Sequence, residues 1–376
     1  MIGDEKMNKF MTILLILLLV FSNMPSVGAM PIEPRFDTTE LSDGTLMITK
    51  YNGTETEVDI PSELGGRLIT NIGSAAFYSR NLTRITIPDS VKFIGSSAFG
   101  SNSLTTVHIP EGVRTIGPYA FYSNKLTEVS IPDNVTSIEE RAFQMNQLTN
   151  VELLGNDLII GDFAFANNKL TSISIANGVK KIGESAFRYN RLTSIEIPGS
   201  VETIGQFAFS GSFNGLENEL TDVKIQNGVK SIGSNAFFIG SLTSVTIPES
   251  VENLDSSAFA YHLLEEVTFE GNPTIGSYGL DQAGPRYKEF KGWYTDEEFT
   301  SEWNGTSVPE GKKLYGKRLP APPQEVSAVK GLEEATVSFT GPTHMGGNAV
   351  TNYSVKVYID GIEQIDGSYA ILVNNY

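Results

Sequence analysis

The sequence predicts a mainly β protein, in which 22-residue coils stack into a solenoid with a curved parallel sheet and small β modules follow. Three recurring features predict this fold. The dipeptide Ala-Phe recurs in one register, an aliphatic residue stands five positions before each Phe, and a Leu stands five positions after it. The nine Phe are 22 residues apart, with one step of 28, and they are Phe77, Phe99, Phe121, Phe143, Phe165, Phe187, Phe209, Phe237 and Phe259.

Each Leu begins a short strand, such as residues 82–87, in which aliphatic residues at the fourth and sixth places alternate with polar ones. Pro88, Pro110, Pro132, Pro198 and Pro248 follow five of these strands. A second extended piece then ends at an aliphatic residue, usually before Gly, and Ala-Phe forms a tight corner. One coil cannot bury its own Leu, Ile and Phe, so neighbouring coils must stack to form a continuous core. We therefore expect Phe143, in a central coil, to be buried, and Phe77, near the end, to contribute less.

These motifs resemble the BspA-type leucine-rich repeat, also called the Treponema-type repeat, whose pattern is close to L-T-x-I-x-I-P-x-x-V-x-x-I-G-x-x-A-F. We assign residues 61–272 to this leucine-rich-repeat solenoid. The resemblance implies a protein at the bacterial surface or secreted from the cell, in a family associated with adhesion and cell contact. It brings no catalytic residues and no cofactor.

The composition excludes several kinds of site. Forty-four acidic and 27 basic residues give a net charge of −17, which disfavours binding to nucleic acid and to anionic membranes. The chain has no Cys and only three widely separated His, so it lacks thiolate chemistry and a histidine metal cluster. No nucleophile and base, and no pair of carboxylates, has a spacing that indicates catalysis. We expect no enzymatic activity and no cofactor.

The first 60 residues indicate an export signal and a cap. Lys6 and Lys9 precede an apolar run that ends before small residues, and this pattern predicts a signal peptide over residues 1–29. After its cleavage we expect no membrane insertion. Asn52-Gly53 between two strand-like segments predicts a hairpin, so residues 30–60 are expected to form an N-terminal cap hairpin.

The segments after the solenoid predict two further modules. Residues 273–318 contain F-K-G-W-Y-T-D and resemble the Listeria-Bacteroides repeat, and we expect their two Trp to pack in a small core rather than to bind sugar. Residues 319–325 read as a Pro-rich linker. Residues 326–376 resemble the first strands of a fibronectin type III domain and are too few for a complete one, so we expect a partial domain. Both modules are expected to act as spacers.

Two surfaces of the solenoid are candidates for binding. Polar side chains at the third and fifth places of each strand are expected to face outward on a concave sheet, where a broad contact suits them better than a small-molecule pocket. The concave-face candidates are Arg84, His108, Glu128, Glu152, Glu196 and Lys224. The alternative is a glycan-binding face of aromatic residues near the Ala-Phe corners, formed by Tyr78, Tyr122, Tyr189 and Tyr261. A row of Asn three residues after Phe is expected to bond successive turns rather than to bind cations.

The function predicted from these features is protein binding or adhesion by an exported bacterial protein, located at the cell surface or secreted. Its partner would be a protein or another cell-surface macromolecule. Two alternatives stay open at this point. The protein could bind cell-wall polysaccharide, or it could be the non-catalytic part of a truncated secreted enzyme.

Overall fold

The structure is a computed structural model, and it describes residues 35–211, 217–277, 280, 290–303, 305, 307–318, 324–330, 335–340, 358–359 and 362–363. The predicted signal peptide and residues 319–323 of the predicted linker lie outside these residues. In the described residues all regular structure is β, which confirms the predicted fold class.

The strands of the repeats recur at intervals set by the 22-residue period, and other strands precede and follow them. They are β1 (Phe36–Glu40), β2 (Leu46–Tyr51), β3 (Glu57–Asp59), β4 (Glu63–Leu64), β5 (Arg67–Ile72), β6 (Arg84–Thr86), β7 (Phe93–Ile94), β8 (Thr115–Ile116), β9 (Glu128–Ile131), β10 (Ser137–Ile138), β11 (Asn150–Leu153), β12 (Leu158–Ile160), β13 (Ser174–Ile175), β14 (Val179–Ile182), β15 (Ser194–Ile197), β16 (Thr203–Ile204), β17 (Asp222–Ile225), β18 (Ser231–Ile232), β19 (Ser244–Ile247), β20 (Asn253–Leu254), β21 (Glu266–Phe269), β22 (Thr274–Ile275), β23 (Phe290–Tyr294), β24 (Lys313–Arg318), β25 (Gln324–Lys330), β26 (Ala335–Thr340), β27 (Tyr358–Ile359) and β28 (Ile362–Glu363).

The longest sheet runs through the second extended piece of each coil. Its order is β1-β2-β5-β7-β8-β10-β12-β14-β16-β18-β20-β22, and it is parallel from β2 onward. In most of these strands the last residue is a fully buried aliphatic side chain, as Ile94 and Ile116 show. The repeating Ile before Gly therefore places one side chain per coil in the core.

The strands that begin after each Leu form several short sheets instead of one. Where a residue other than Pro follows the strand, its N–H donates to the preceding coil, as Leu154 does to the Ile131 carbonyl at 3.1 Å. Ala176, Gln226 and Glu270 make the same bond, and their strands pair with the preceding strand. Pro has no N–H to donate. Strands β9, β15 and β19, which end before Pro132, Pro198 and Pro248, are not paired with the preceding coil, and the segment before Pro110 forms no strand. Strand β6, before Pro88, is still paired with β3.

The Ala-Phe corner is built from residues with positive φ and from hydrogen bonds between coils. The residue two positions before each Phe has φ between 52° and 57°, including the bulky Phe163 and Phe207. The N–H groups at this position and at Phe donate to carbonyls of the next coil, for example from Phe121 to Ala142 at 2.8 Å. These bonds help to hold a conformation that side chains other than Gly rarely adopt.

The nine Phe rings stack along the solenoid. Consecutive ring centroids lie 4.9–5.4 Å apart, with planes inclined by 2–24°, and all nine rings are fully buried. Phe77 is covered as well as Phe143, because Tyr51 stacks on it at 5.4 Å and Phe36 lies 6.1 Å away. Phe77 is therefore as fully buried as Phe143, and its burial gives no reason for the smaller contribution expected from its position.

The N-terminal cap differs from the predicted hairpin. Strand β2 pairs antiparallel with β1, which precedes it, whereas β3 pairs parallel with β6 of the first coil. The prediction that Asn52-Gly53 joins two paired strands is wrong, since neither residue has the positive φ of a type I′ turn. A tight turn does occur at Gly65-Gly66, with φ of 60° and 77°, and it joins the antiparallel strands β4 and β5.

The opposite end is covered by part of the segment 273–318. Strand β24 pairs antiparallel with β21, the last strand of the repeats, and also with β23. Leu314 and Trp293 belong to the same core as the repeats, and the Trp293 indole N–H donates to the Leu280 carbonyl at 2.9 Å. This segment therefore closes the core and is not a detached spacer. Beyond it, the structure describes only the hairpins β25–β26 and β27–β28.

Candidate binding surface

The third and fifth places of the short strands form the surface that we call the strand face. Strands β9, β11, β15 and β19 alternate exposed and buried residues, with the polar side chains outside. The Thr at the second place, from Thr83 to Thr243, are also exposed. The outward orientation of the candidates thus follows from the period of two, because the aliphatic residues between them fill the core.

Arg84 does not act as a free charge on this face. Its guanidinium contacts Asp59 at 2.7 Å and Glu57 at 3.1 Å, and it also donates to the Thr86 hydroxyl at 3.0 Å. Hydrogen bonds from Arg84 and then from Thr86 lower the pKa of Asp59 to about 2. The arginine therefore neutralises acids of the N-terminal end and does not offset the more distant glutamates.

The three candidate glutamates are exposed and fall into two groups. Glu128 and Glu152 lie on the paired strands β9 and β11, where Glu152 accepts a hydrogen bond from the Ser130 hydroxyl at 3.3 Å. Glu196 lies on β15, opposite Lys224 of β17. In the described chain neither member of this last pair has an oppositely charged group within 4.0 Å. His108 is also exposed, in a coil whose segment 104–109 forms no strand.

The four candidate tyrosines do not form one continuous platform. Tyr78 is 47% exposed, while Tyr122, Tyr189 and Tyr261 are half-buried. Their rings rest on neighbours, namely Tyr119 at 5.5 Å from Tyr122, the Arg188 guanidinium at 4.5 Å from Tyr189, and Phe238 at 4.9 Å from Tyr261. The tyrosines also lie two or three coils apart, so a sugar chain would meet them one at a time.

The Asn row links successive coils, as the sequence analysis predicted. Asn146 shows the arrangement: its Oδ1 accepts from the Leu126 N–H at 3.1 Å, and its Nδ2 donates to the Phe121 carbonyl at 2.9 Å. The same bonds are made by Asn102, Asn124, Asn168 and Asn190. These amides are buried and use both polar atoms within the protein, so the row is structural.

Two further residues, which were not predicted, belong to this row. In the coil with the 28-residue step, Asn218 takes the place of the Asn in this row and bonds to Leu192 and Phe187. In the last repeat His262 replaces Asn: its Nδ1 accepts from the Leu242 N–H at 3.3 Å and its Nε2 donates to the Phe237 carbonyl at 2.5 Å. Complete burial lowers the pKa of His262 to about 4, so the ring is neutral. Placement two residues before the repeat Leu is the signal that identifies both.

A groove lies on the strand face between β13 and β15, and we call it the β13–β15 groove. It has a volume of about 350 Å³ and is lined by Ile173, Ser174, Ile175, Ala176, Asn177, Glu196, Pro198 and Gln226. Only Glu196 of these residues was among the predicted candidates. The described residues contain no group of three or more acidic or histidine side chains able to hold a metal ion. They also include no helix with the length and apolarity to cross a membrane.

One protein family and several solved structures are similar to this chain. The pattern of the BspA type Leucine rich repeat region matches residues 70–192 and 158–283 in six copies. Among solved structures, the chain is similar to the leucine-rich repeat protein TpLRR of T. pallidum, with 24% identity, 53% of this chain and 82% of that chain covered, and a TM-score of 0.35.

Two other solved structures are similar over a larger part of the chain. A leucine-rich repeat protein from Bacteroides ovatus ATCC 8483 shows 20% identity, coverage of 66% of this chain and 91% of that chain, and a TM-score of 0.30. One from Eubacterium ventriosum ATCC 27560 shows 21% identity, coverage of 66% and 74%, and a TM-score of 0.37. No match is found among curated proteins. Because the family pattern spans more than half of its length, the chain belongs to the family of proteins with a BspA-type leucine-rich repeat region.

Proposed function

We propose that this protein is exported by a bacterium, remains at the cell surface or is secreted, and binds another protein or cell-surface macromolecule through the strand face. The observation that carries this proposal is the repeated exposure of short polar side chains along the strands. Such a surface offers many shallow contacts, as protein interfaces do, and suits a broad partner better than a small substrate.

The charge on the strand face supports a basic or polar partner. Glu128, Glu152, Glu196 and Asp222 are exposed, whereas Lys224 is the nearby base. Glu266 is already paired with Lys313 at 3.0 Å, and this contact raises the pKa of Lys313. The remaining acids would therefore speed the encounter with a basic partner at low salt.

The proposed location depends on the N-terminal sequence and on the family. The apolar run after Lys9 has the length of a signal peptide rather than of a membrane span. Members of this family are associated with the cell surface or with secretion, which agrees with export. Catalysis forms no part of the proposal, because the solenoid fold is typical of binding proteins.

Binding of cell-wall glycan through the corner tyrosines is the competing function. Tyr78 is the best exposed of the four aromatic side chains, and stacking on an aromatic ring is a common way to hold a sugar. The packing of Tyr122, Tyr189 and Tyr261 against their own neighbours makes this function the less favoured one.

The two functions can be separated with three versions of the full chain: the wild type, Glu128→Lys/Glu152→Lys/Glu196→Lys, and Tyr122→Ser/Tyr189→Ser. Each is tested for retention on cell-surface proteins and on purified wall polysaccharide. We expect the wild type to bind surface protein, the lysine variant to associate more slowly, and the serine variant to bind like the wild type. Retention on polysaccharide that only the serine variant loses would establish the glycan function instead, and no retention of the wild type in either assay would refute both.

A further inference from the structure

The β13–β15 groove lies where two neighbouring strands are not paired and where Pro198 lacks the N–H that other coils use at this place. At the equivalent place in the preceding coil, the Ala176 N–H donates to Leu153 at 3.3 Å, and β13 pairs with β11. Pro198 cannot donate to Ile175 in this way, and β15 is not paired with β13. An opening therefore remains on the strand face, at the ends of these two strands.

Apolar side chains form the floor of the groove. Ile173 and Ile175 are half-buried, although the corresponding residues of the preceding coil, Val151 and Leu153, are fully buried. Ala176 is also half-buried and adds to the same apolar surface. No aromatic ring lines the groove, so it lacks the flat surface on which a sugar stacks.

A positioned carboxylate stands at the rim. The Gln226 amide donates to Glu196 at 2.8 Å, while its own oxygen accepts from the Gly199 N–H at 3.2 Å. These two bonds fix the direction of the carboxylate. Glu196 has no cation within 4.0 Å among the described side chains, and Ser174 and Asn177 add polar atoms beside it. A cation is the charge that this rim would attract.

We propose that the β13–β15 groove receives a lysine or arginine side chain from an extended segment of a protein partner. The aliphatic part of that side chain and an apolar neighbour would cover Ile173 and Ile175, and its cationic end would bind Glu196. The inference rests on the proposed function, because it identifies the chemistry of the partner at one position of the strand face. A nucleic acid would be repelled by the Glu196 carboxylate, and a glycan would find no aromatic ring on which to stack.

The test uses the full chain with labelled Ile methyl groups and three synthetic peptides as probes. The peptides are acetyl-Gly-Leu-Lys-Leu-Gly-amide, the same peptide with Gln instead of Lys, and the same peptide with Ser instead of both Leu. We expect the Lys peptide to shift the methyl signals of Ile173 and Ile175, and the other two to bind more weakly. Glu196→Gln keeps the shape of the side chain and should weaken the Lys peptide about tenfold, as loss of one charge-assisted bond does.

Glu128→Gln is the matched control, since it removes an exposed carboxylate from the same face outside the groove. It should bind the Lys peptide as the wild type does. Equal affinity of the wild type and Glu196→Gln, or shifts that appear with wall oligosaccharides and not with the Lys peptide, would overturn the inference.

The failure of this inference can be told apart from failure of the proposed function. If the chain retains surface protein while Ile173 and Ile175 do not respond to the Lys peptide, the groove assignment is wrong and the wider function stands. If the peptide binds as expected but the full chain retains no surface protein, the groove assignment stands and the proposed function fails.

Discussion

Replacement of one buried histidine should change how the stability of the solenoid depends on pH. His262 is completely buried and bonds to Leu242 and Phe237, where the other coils use Asn. Burial lowers its pKa from 6.5 to about 4 in the folded protein. The unfolded chain therefore takes up a proton below pH 6.5 that the folded chain does not accept, so stability is complete above pH 6.5 and falls as the pH decreases toward 4.

The size of the effect follows from this difference in pKa. With 1.36 kcal/mol for each unit of pKa difference, the loss of stability is about 1.4 kcal/mol at pH 5.5 and about 3 kcal/mol at pH 4. The variant His262→Asn has no group that titrates in this range and can make the same two bonds to the preceding coil. Its free energy of unfolding should decrease less on acidification than that of the wild type. This comparison does not depend on which of the two proteins is more stable at pH 7.5.

The assay is urea unfolding of the full chain, followed by far-ultraviolet circular dichroism between pH 7.5 and pH 5.5. This interval avoids the isoelectric point near 4.7, where the protein has little net charge. The carboxylates and the other two histidines are common to both proteins, so their contribution cancels in the difference. Parallel stability curves for the wild type and His262→Asn over this interval would refute the reasoning.

Three further outcomes are expected. Phe143→Ala and Phe77→Ala should each lower the free energy of unfolding by about 3–5 kcal/mol, and a much smaller loss at Phe77 would show that Tyr51 does not complete the stack. Pro132→Leu should supply an N–H that donates to the Ile109 carbonyl, so hydrogen exchange of the amide at residue 132 should be slow. Fast exchange would contradict the idea that a missing N–H at proline leaves the two coils unbonded there. Leu314→Ala should destabilise the solenoid by about 2–5 kcal/mol in urea unfolding, although Leu314 lies outside the repeats, and an unchanged midpoint would show that β24 does not close the core.

The core of the solenoid could be predicted because identical residues at a constant spacing must occupy the same environment in every coil. Phe143 and Ile138 are buried as their position in the repeat required. The cap could not be derived in this way, since it occurs once. Asn52-Gly53 has the sequence of a hairpin turn, but β3 pairs with β6 and not with β2.

The candidate surface was predictable in its orientation and not in its details. Alternation along each strand placed Glu128, Glu152 and Glu196 outside, which the structure bears out. The groove beside Glu196 lies where β13 and β15 are not paired. The alternation of residues within one strand does not show whether that strand pairs with its neighbour. His262 was missed for another reason, because the row was recognised by a repeated Asn, and at this position an imidazole bridges the same two backbone groups as the amide.

The corner hydrogen bonds give the solenoid two chemically different ends. At successive corners the N–H groups of Phe77, Phe99 and Phe121 all donate to the following coil, so the first corner requires donors from the N-terminal cap and the last corner requires acceptors from the chain that follows it. The N-terminal cap meets this demand, since the Tyr51 N–H donates to the Ala76 carbonyl at 2.8 Å. A cap that supplies hydrogen-bond donors to the first end therefore cannot serve at the other end, which needs acceptors. Repeats can be added or removed inside the stack as whole units, whereas exchanging its ends would set like groups against each other.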